Sequence, residues 1–193
     1  MAFNLHGIFA LVRNRLLLLP LASLFASPVY AACDVTAWHF GMSPEEVSAL
    51  TDCGPYRTLG RGDLETYAGV FEGKQANFQF DFDEGKLGRI GINLYEGRNA
   101  RDAAKVYRSV HDSLSRTYGT VDTPGIVADT SSKAGASAFE SAAYATMMQT
   151  GRARMAPFAG PADAQVYSTF VHHVVLKKDY YVVILYYERP ATP

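Results

Sequence analysis

A strict alternation of apolar and polar residues occupies the middle of the chain. From Ala76 to Phe82 every second residue is apolar, and the residues between them are polar. Because strand side chains point alternately to opposite faces, the alternation predicts a strand with one buried and one solvated face. Runs of similar character at 64–72 and 87–95 adjoin it through short glycine-containing turns. The three runs together predict an antiparallel meander.

Two further β-rich runs lie near the end of the chain, at 165–176 and 180–188, and residues 177–179 predict a hairpin turn between them. Both faces of these strands carry apolar or aromatic residues. In one interpretation, helices cover one face of these strands and tyrosine rings cap the other. In the other, the aromatic surface binds a partner, because tyrosine is enriched at protein interfaces. The candidate residues for a partner or ligand surface are Tyr167, His172, His173, Tyr180, Tyr181, Tyr186 and Tyr187.

Capping residues place the helices. Ser43 with Glu46 three residues later forms a capping box for a first helix. A second helix is predicted from its cap Asn99 to Gly119, with apolar residues at helical spacing along one side. A third is predicted over 137–150, where Ala, Met and Glu dominate.

These elements predict a single α+β domain over residues 32–193. Its sheet is expected to be mostly antiparallel, with about five strands, and two or three helices should pack on one face. The segment 151–163, with its prolines and glycines, is predicted to be an irregular loop. The sequence contains no internal repeat.

The first thirty-one residues have the parts of a Sec-type signal peptide. Arg13 and Arg15 supply positive charge, an apolar run covers 16–26, and Ala31 stands where a signal peptidase would cut. The apolar run is short against the roughly 20 residues that span a bilayer. We therefore expect residues 1–31 to be cleaved, and the mature protein to be periplasmic or secreted.

The chain contains two cysteines. In an exported protein two cysteines most simply pair, so a Cys33–Cys53 disulfide is predicted. The alternative is a lipoprotein anchored through Cys33, which lies just beyond the expected cut. Tyr30 occupies the position where that modification usually needs Leu or a similar aliphatic residue, and Cys53 would be left as a lone thiol. The disulfide is therefore favoured.

The charge balance excludes one class of partner. The formal net charge is −1, from 18 basic and 19 acidic residues, and cleavage removes two of the basic ones, Arg13 and Arg15, which makes it −3. A mildly acidic protein lacks the basic surface that nucleic acid requires. This balance also gives no reason to expect an anionic membrane as partner. No long apolar segment follows the signal, so no membrane insertion is expected after cleavage.

No residue pattern predicts catalysis or a bound cofactor. His172 and His173 are adjacent on a predicted strand, so their side chains point to opposite faces and cannot ligate one metal together. The chain lacks the His-Glu-x-x-His and Cys-x-x-Cys metal motifs and the Gly-x-Ser-x-Gly nucleophile turn. We expect no catalytic residue, no metal and no cofactor.

The segment 40–47, followed by Cys53, Gly54 and Pro55, is similar to the first helix of small envelope proteins of the SmpA/OmlA (BamE-like) group. The resemblance covers about fifteen residues. The three following strands and the long second helix depart from the compact pattern of that group, so no function is carried over from it.

Three functions are compatible with these patterns. The leading hypothesis is a non-enzymatic exported protein that binds another envelope or secreted protein, as an inhibitor, an immunity-like protein or an envelope accessory domain. The alternative is a periplasmic small-molecule binder whose cavity lies between sheet and helices, lined by tyrosines and by His172 or His173. An envelope hydrolase with an unrecognised site is the third. The sequence leaves the oligomeric state open.

Overall fold

One antiparallel sheet of eight strands organises the computed structural model, which describes residues 33–127 and 129–190. The expected signal peptide and its cut after Ala31 lie outside these residues. The elements in chain order are α1 (Pro44–Ser48), β1 (Tyr56–Thr58), β2 (Leu64–Phe71), β3 (Lys74–Asp83), β4 (Lys86–Gly97), α2 (Ala100–Tyr118), α3 (Lys133–Thr150), β5 (Arg152–Arg154), β6 (Phe158–Ala159), β7 (Gln165–Val175) and β8 (Lys178–Glu188).

The strands follow the order β1-β2-β3-β4-β8-β7-β5, and β6 also pairs with β7. Every pairing between these strands is antiparallel, so the predicted α+β class is confirmed. The strand number differs from the expected five, because β1, β5 and β6 lie in segments without a strand pattern. Each is only two or three residues long and forms against the free edge of a longer strand, whose unpaired backbone groups it satisfies.

The predicted helix caps are present. Ser43 and Glu46 form the capping box of α1, and the Asn99 side chain accepts hydrogen bonds from two backbone N–H groups at the start of α2. That helix ends at Tyr118, and the next residue, Gly119, has a φ of 92°, which favours glycine. The third helix begins at Lys133, one turn earlier than predicted, because the Ser132 hydroxyl accepts a hydrogen bond from the Gly135 N–H and caps it there.

The inner face of the sheet is the face that α2 and α3 cover. Alternate residues of β8 from Tyr181 to Tyr187 point to this face and are buried. They pack with Tyr107 of α2 and with Phe139 and Met147 of α3. The two helices lie over β4, β8, β7 and β5, and together with these strands they form most of the core.

The segment that precedes β1 covers the rest of the inner face, over β2 and β3. The Trp38 ring lies 5.2 Å from that of Phe78 and 4.8 Å from that of Phe80, centroid to centroid. The predicted Cys33–Cys53 disulfide is formed and closes this segment. Neither sulfur remains as a free thiol, and a disulfide fits an oxidising compartment.

The turn between β7 and β8 lies one residue earlier than predicted. Val175 pairs with Lys178, so the turn consists of Leu176 and Lys177 alone. Both residues have a positive φ, 51° and 62°, as the two-residue turns that match strand twist require. Register between the strands, rather than the polar character of residues 177–179, fixes its position.

Candidate functional site

The outer face of the sheet lies opposite α2 and α3, and neither helix covers it. The strand register places a line of aliphatic side chains along its centre, where Val171 of β7 faces Val182 of β8 and Ile184 follows on the same face. These three are half-buried rather than buried. We call this side of β5, β7, β8 and β4 the open face.

Two tyrosines and two arginines interleave at one end of the open face. Tyr167 and Tyr186 are directly opposite each other on β7 and β8, with ring centroids 5.1 Å apart. The guanidinium carbon of Arg154 lies 4.0 Å from the Tyr167 ring centroid, and that of Arg89 lies 5.1 Å from the Tyr186 centroid. Both distances are within the range of favourable cation–π contacts. We call these four residues the aromatic–arginine cluster.

Carboxylates hold two members of the cluster in place. The Tyr167 hydroxyl donates a 2.8 Å hydrogen bond to Glu188, and the Arg89 Nε donates a 2.7 Å hydrogen bond to Asp81. Burial, helped by the hydrogen bond to Glu188, raises the pKa of Tyr167 to about 12. Burial of the Arg89 guanidinium opposes its charge, but the hydrogen bond and negative charge of Asp81 outweigh burial and raise its pKa. Tyr167 is therefore neutral and Arg89 charged at neutral pH.

One buried polar atom of the cluster has no hydrogen-bond partner within residues 33–127 and 129–190. The Arg154 Nε is buried, and no hydrogen-bond acceptor of these residues reaches it. A buried donor without an acceptor costs free energy, so such groups are rare.

The half of the outer face that lies over β1, β2 and β3 is polar. Glu65 pairs with Arg57 and accepts a hydrogen bond from Asn77, which in turn accepts a 2.6 Å hydrogen bond from Asn93. The chain of contacts crosses four strands and ends where Ile184 begins the aliphatic line. The outer face thus changes from a hydrogen-bonded polar half to an aliphatic and aromatic half.

The seven residues predicted for a partner or ligand surface divide between the two faces of the sheet. The register places Tyr167, His173, Tyr180 and Tyr186 on the open face. The remaining three, His172, Tyr181 and Tyr187, lie on the inner face. Tyr187 is 6% exposed in the core, where burial raises its pKa. His172 stacks on Tyr181 and bonds Asp179 at 2.9 Å.

The two arginines of the cluster were not singled out from the sequence. Arg89 precedes the inward-pointing Ile90, so its position on the outer face follows from strand alternation. Arg154 lies in the segment predicted as a loop, and only the pairing of β5 with β7 places it beside Tyr167. A sequence signal existed for the first arginine and not for the second.

A second feature, a cleft of about 1050 Å³, lies between the beginning of α2 and the middle of α3. Tyr95, Tyr144 and Tyr181 line it, together with Arg98 and Arg101. It has the size of a small-molecule site and lies between sheet and helices. Tyrosines line it, as expected for a cavity there, but neither His172 nor His173 does.

Comparison of the chain with known protein families, with curated proteins and with solved structures found no match.

The described residues contain neither a cluster that could hold a metal ion nor a membrane-spanning helix. Among residues 33–127 and 129–190, no three His, Cys, Asp or Glu side chains lie close enough together to hold a metal ion. In the same part of the chain, no helix combines the length and apolar character needed to cross a bilayer.

Proposed function

We propose that the protein is an exported, non-enzymatic binding protein whose open face binds another envelope or secreted protein. The observation that carries this proposal is the aliphatic line of Val171, Val182 and Ile184, which no described element covers and which ends in the aromatic–arginine cluster. The disulfide supports export, because such bonds persist in oxidising compartments.

The composition of the open face resembles that of known protein interfaces. Interfaces combine an apolar centre with a polar rim and are enriched in tyrosine and arginine. Here the aliphatic line is the centre, Tyr167 and Tyr186 flank it, and Arg89 and Arg154 lie beside their rings. Residues of these types supply most of the binding energy in many complexes. The rings and guanidinium groups are already held by their neighbours, so binding would cost little side-chain entropy.

The open face has room for a small protein interface. Strands β4, β7 and β8 contain 12, 11 and 11 residues, and β5 contains 3. At about 3.4 Å per residue and about 4.8 Å between strands, they offer roughly 600 Å². A standard interface buries about 800 Å² on each partner, and transient complexes bury less.

Photo-crosslinking in the producing cell tests the proposal. A photoreactive amino acid at Ile184 is expected to form a specific crosslink to one envelope or secreted protein, identified by mass spectrometry. The same amino acid at the exposed Val127, away from the open face, serves as the control. A crosslink at both positions, or at Val127 alone, would contradict the assignment of the open face.

Affinity for the captured partner then tests the cluster. Replacing Tyr186 by Ala removes an aromatic anchor and is expected to weaken binding by about thirtyfold, a typical effect for such a residue. Met148→Ala removes an exposed side chain of α3 on the other side of the sheet and should leave the affinity unchanged. Equal affinities of wild type and Tyr186→Ala, both folded, would overturn the proposal.

The cleft between α2 and α3 favours a second function, the binding of a small molecule. Its tyrosines offer ring surfaces, and Arg98 and Arg101 offer positive charge to an anionic group. A ligand seated there is expected to quench or shift the fluorescence of its tyrosines and to raise the melting temperature. Loss of that shift in Arg98→Ala/Arg101→Ala, with partner binding unchanged, would assign the ligand to the cleft.

A further inference from the structure

The β7–β8 hairpin extends beyond both of its neighbouring strands. The last residue of β4 pairs with Tyr181, and the outermost residue of β5 pairs with Val171. The residues from 173 to 179 are all exposed, so no described element flanks the hairpin there. At about 3.3 Å per residue, the turn lies roughly 13 Å past the end of β4.

Aliphatic side chains occupy the end of this extension. Val174 is 66% exposed, Val175 is 51% exposed and Leu176, in the turn itself, is 90% exposed. These three residues and the lysines Lys177 and Lys178 that follow them are called the hairpin tip. Three consecutive exposed aliphatic residues on a projecting turn differ from the isolated apolar residues found on any protein surface.

The turn conformation is unfavourable for the residue it contains. Leu176 has a φ of 51° and Lys177 a φ of 62°, in the left-handed region that glycine and asparagine adopt most readily. An Asn-Gly turn would form the same hairpin with less strain. Folding of the hairpin therefore does not explain a leucine that is 90% exposed at this turn.

Positive charge is concentrated at the same end of the sheet, although the chain as a whole has a formal charge of −1. Lys177 and Lys178 belong to the tip itself. Arg98 directly follows the last residue of β4, and Arg152 opens β5. Two carboxylates lie at this end as well: Asp179 of the hairpin, which His172 holds at 2.9 Å, and Glu96 of β4, which lies near Tyr180. The four basic side chains outnumber them.

We propose that the hairpin tip inserts into the headgroup region of an anionic lipid bilayer. Aliphatic side chains of a projecting turn gain free energy when they leave water at the acyl boundary, and the adjacent lysines gain by lying among negative headgroups. Insertion stops at the tip, because the outward backbone groups of a two-stranded extension must stay hydrated. The net charge of the whole chain conceals this local pairing of apolar and basic residues.

The docked orientation leaves the open face accessible. The tip lies at the end of β7 and β8, whereas the open face runs along their length. Membrane docking and partner binding are therefore separate activities, and either can fail without the other.

Vesicle co-sedimentation of the processed protein, with its first residue verified by intact mass, tests the proposal. Vesicles of phosphatidylcholine with 30% phosphatidylglycerol (about a third of the lipid, typical of an anionic bilayer) are expected to bind the protein, and pure phosphatidylcholine vesicles to bind it far less. Lys177→Gln/Lys178→Gln should lower the partition coefficient about 25-fold, since each lysine near such a surface contributes about fivefold. Lys86→Gln/Lys133→Gln changes the charge equally, away from the tip, and should bind as the wild type does.

Leu176→Asn separates insertion from folding. Asparagine tolerates the left-handed conformation better than leucine, so this variant should melt no lower than the wild type. Its partition coefficient should nevertheless fall about tenfold, because the most exposed aliphatic side chain of the tip is gone. Leu176→Trp should bind at least as well as the wild type, and its emission should shift to the blue with anionic vesicles, whereas Trp38 is buried already.

Two results would overturn the proposal. The first is equal binding of wild type and Leu176→Asn to anionic vesicles. The second is a wild type that does not bind these vesicles, together with tip variants that bind the crosslinked partner protein more weakly. That result would place the tip in the protein interface instead.

Discussion

Tyr167 shows at the scale of one residue how the open face combines burial with polarity. Its side chain lies on the uncovered side of the sheet, yet only 4% of the residue is exposed, because Arg154 and Tyr186 lie against its ring. Its hydroxyl is bound to Glu188. Neighbouring side chains, and not a covering helix, therefore bury this ring.

The ionisation of Tyr167 makes stability depend on pH in the alkaline range. Its pKa in the folded protein is about 12, above the value near 10 of an unfolded chain. The folded state holds this proton more tightly, so its contribution is complete below pH 10 and is lost as the pH rises towards 12. Urea denaturation at pH 9 and at pH 11.5, roughly the window set by these two pKa values, measures the effect. The free energy of unfolding should fall less between these pH values in Tyr167→Phe than in the wild type. Identical pH dependence in both proteins would contradict this.

Gly69 lies where any side chain would collide with the core. A Cβ atom at this position would come within 2.0 Å of a ring carbon of the buried Phe78. Gly69→Ala is expected to destabilise the protein by about 1–3 kcal/mol, the usual cost of overpacking. Gly60→Ala, at a glycine with open space around it, should change the free energy of unfolding by less than about 0.5 kcal/mol. Equal effects of the two substitutions in urea denaturation would refute the steric explanation.

At the scale of elements, α2 depends on its first residues. It is 19 residues long, and Asn99 satisfies the N–H groups of Arg101 and Asp102 that have no partner within the helix. The same turn begins where β4 ends, so it sets the direction in which α2 crosses the sheet.

Removing this cap should have a measurable cost. Asn99→Ala is expected to lower the free energy of unfolding by about 1 kcal/mol. Asn99→Ser keeps a capping oxygen and should recover most of the loss. Urea denaturation monitored by circular dichroism measures both, and a serine variant as unstable as the alanine variant would show that the asparagine acts by another route.

At the scale of the whole molecule, the disulfide holds the chain segment that covers β2 and β3. Cys33 and Cys53 are 20 residues apart, and Trp38 lies between them on Phe78 and Phe80. The link restricts the unfolded chain, and a loop of this length contributes about 3 kcal/mol.

Loss of the disulfide should therefore destabilise the whole fold. Cys33→Ser/Cys53→Ser is expected to unfold at lower urea concentration, with a loss of about 3 kcal/mol. Emission of the single tryptophan should shift to the red first if the covering segment loosens before the sheet unfolds. An unchanged midpoint for the double variant would mean that packing around Trp38 alone holds the segment.

The local rules of the chain determined the longer elements. Alternation and β-rich composition predicted the five long strands, and caps predicted the starts of α1 and α2, because strand character and capping depend on residues a few positions apart. The disulfide followed from the number of cysteines.

Tertiary structure decided which face stayed open and what lies on it. The short strands β1, β5 and β6 form only because longer strands offer free edges, and β5 thereby brings Arg154 to Tyr167. The hairpin turn at Leu176 was set by register rather than by polarity. These features depend on pairing between residues far apart in the chain. The alternation within a single strand defines two faces, but it does not determine which of them the helices cover.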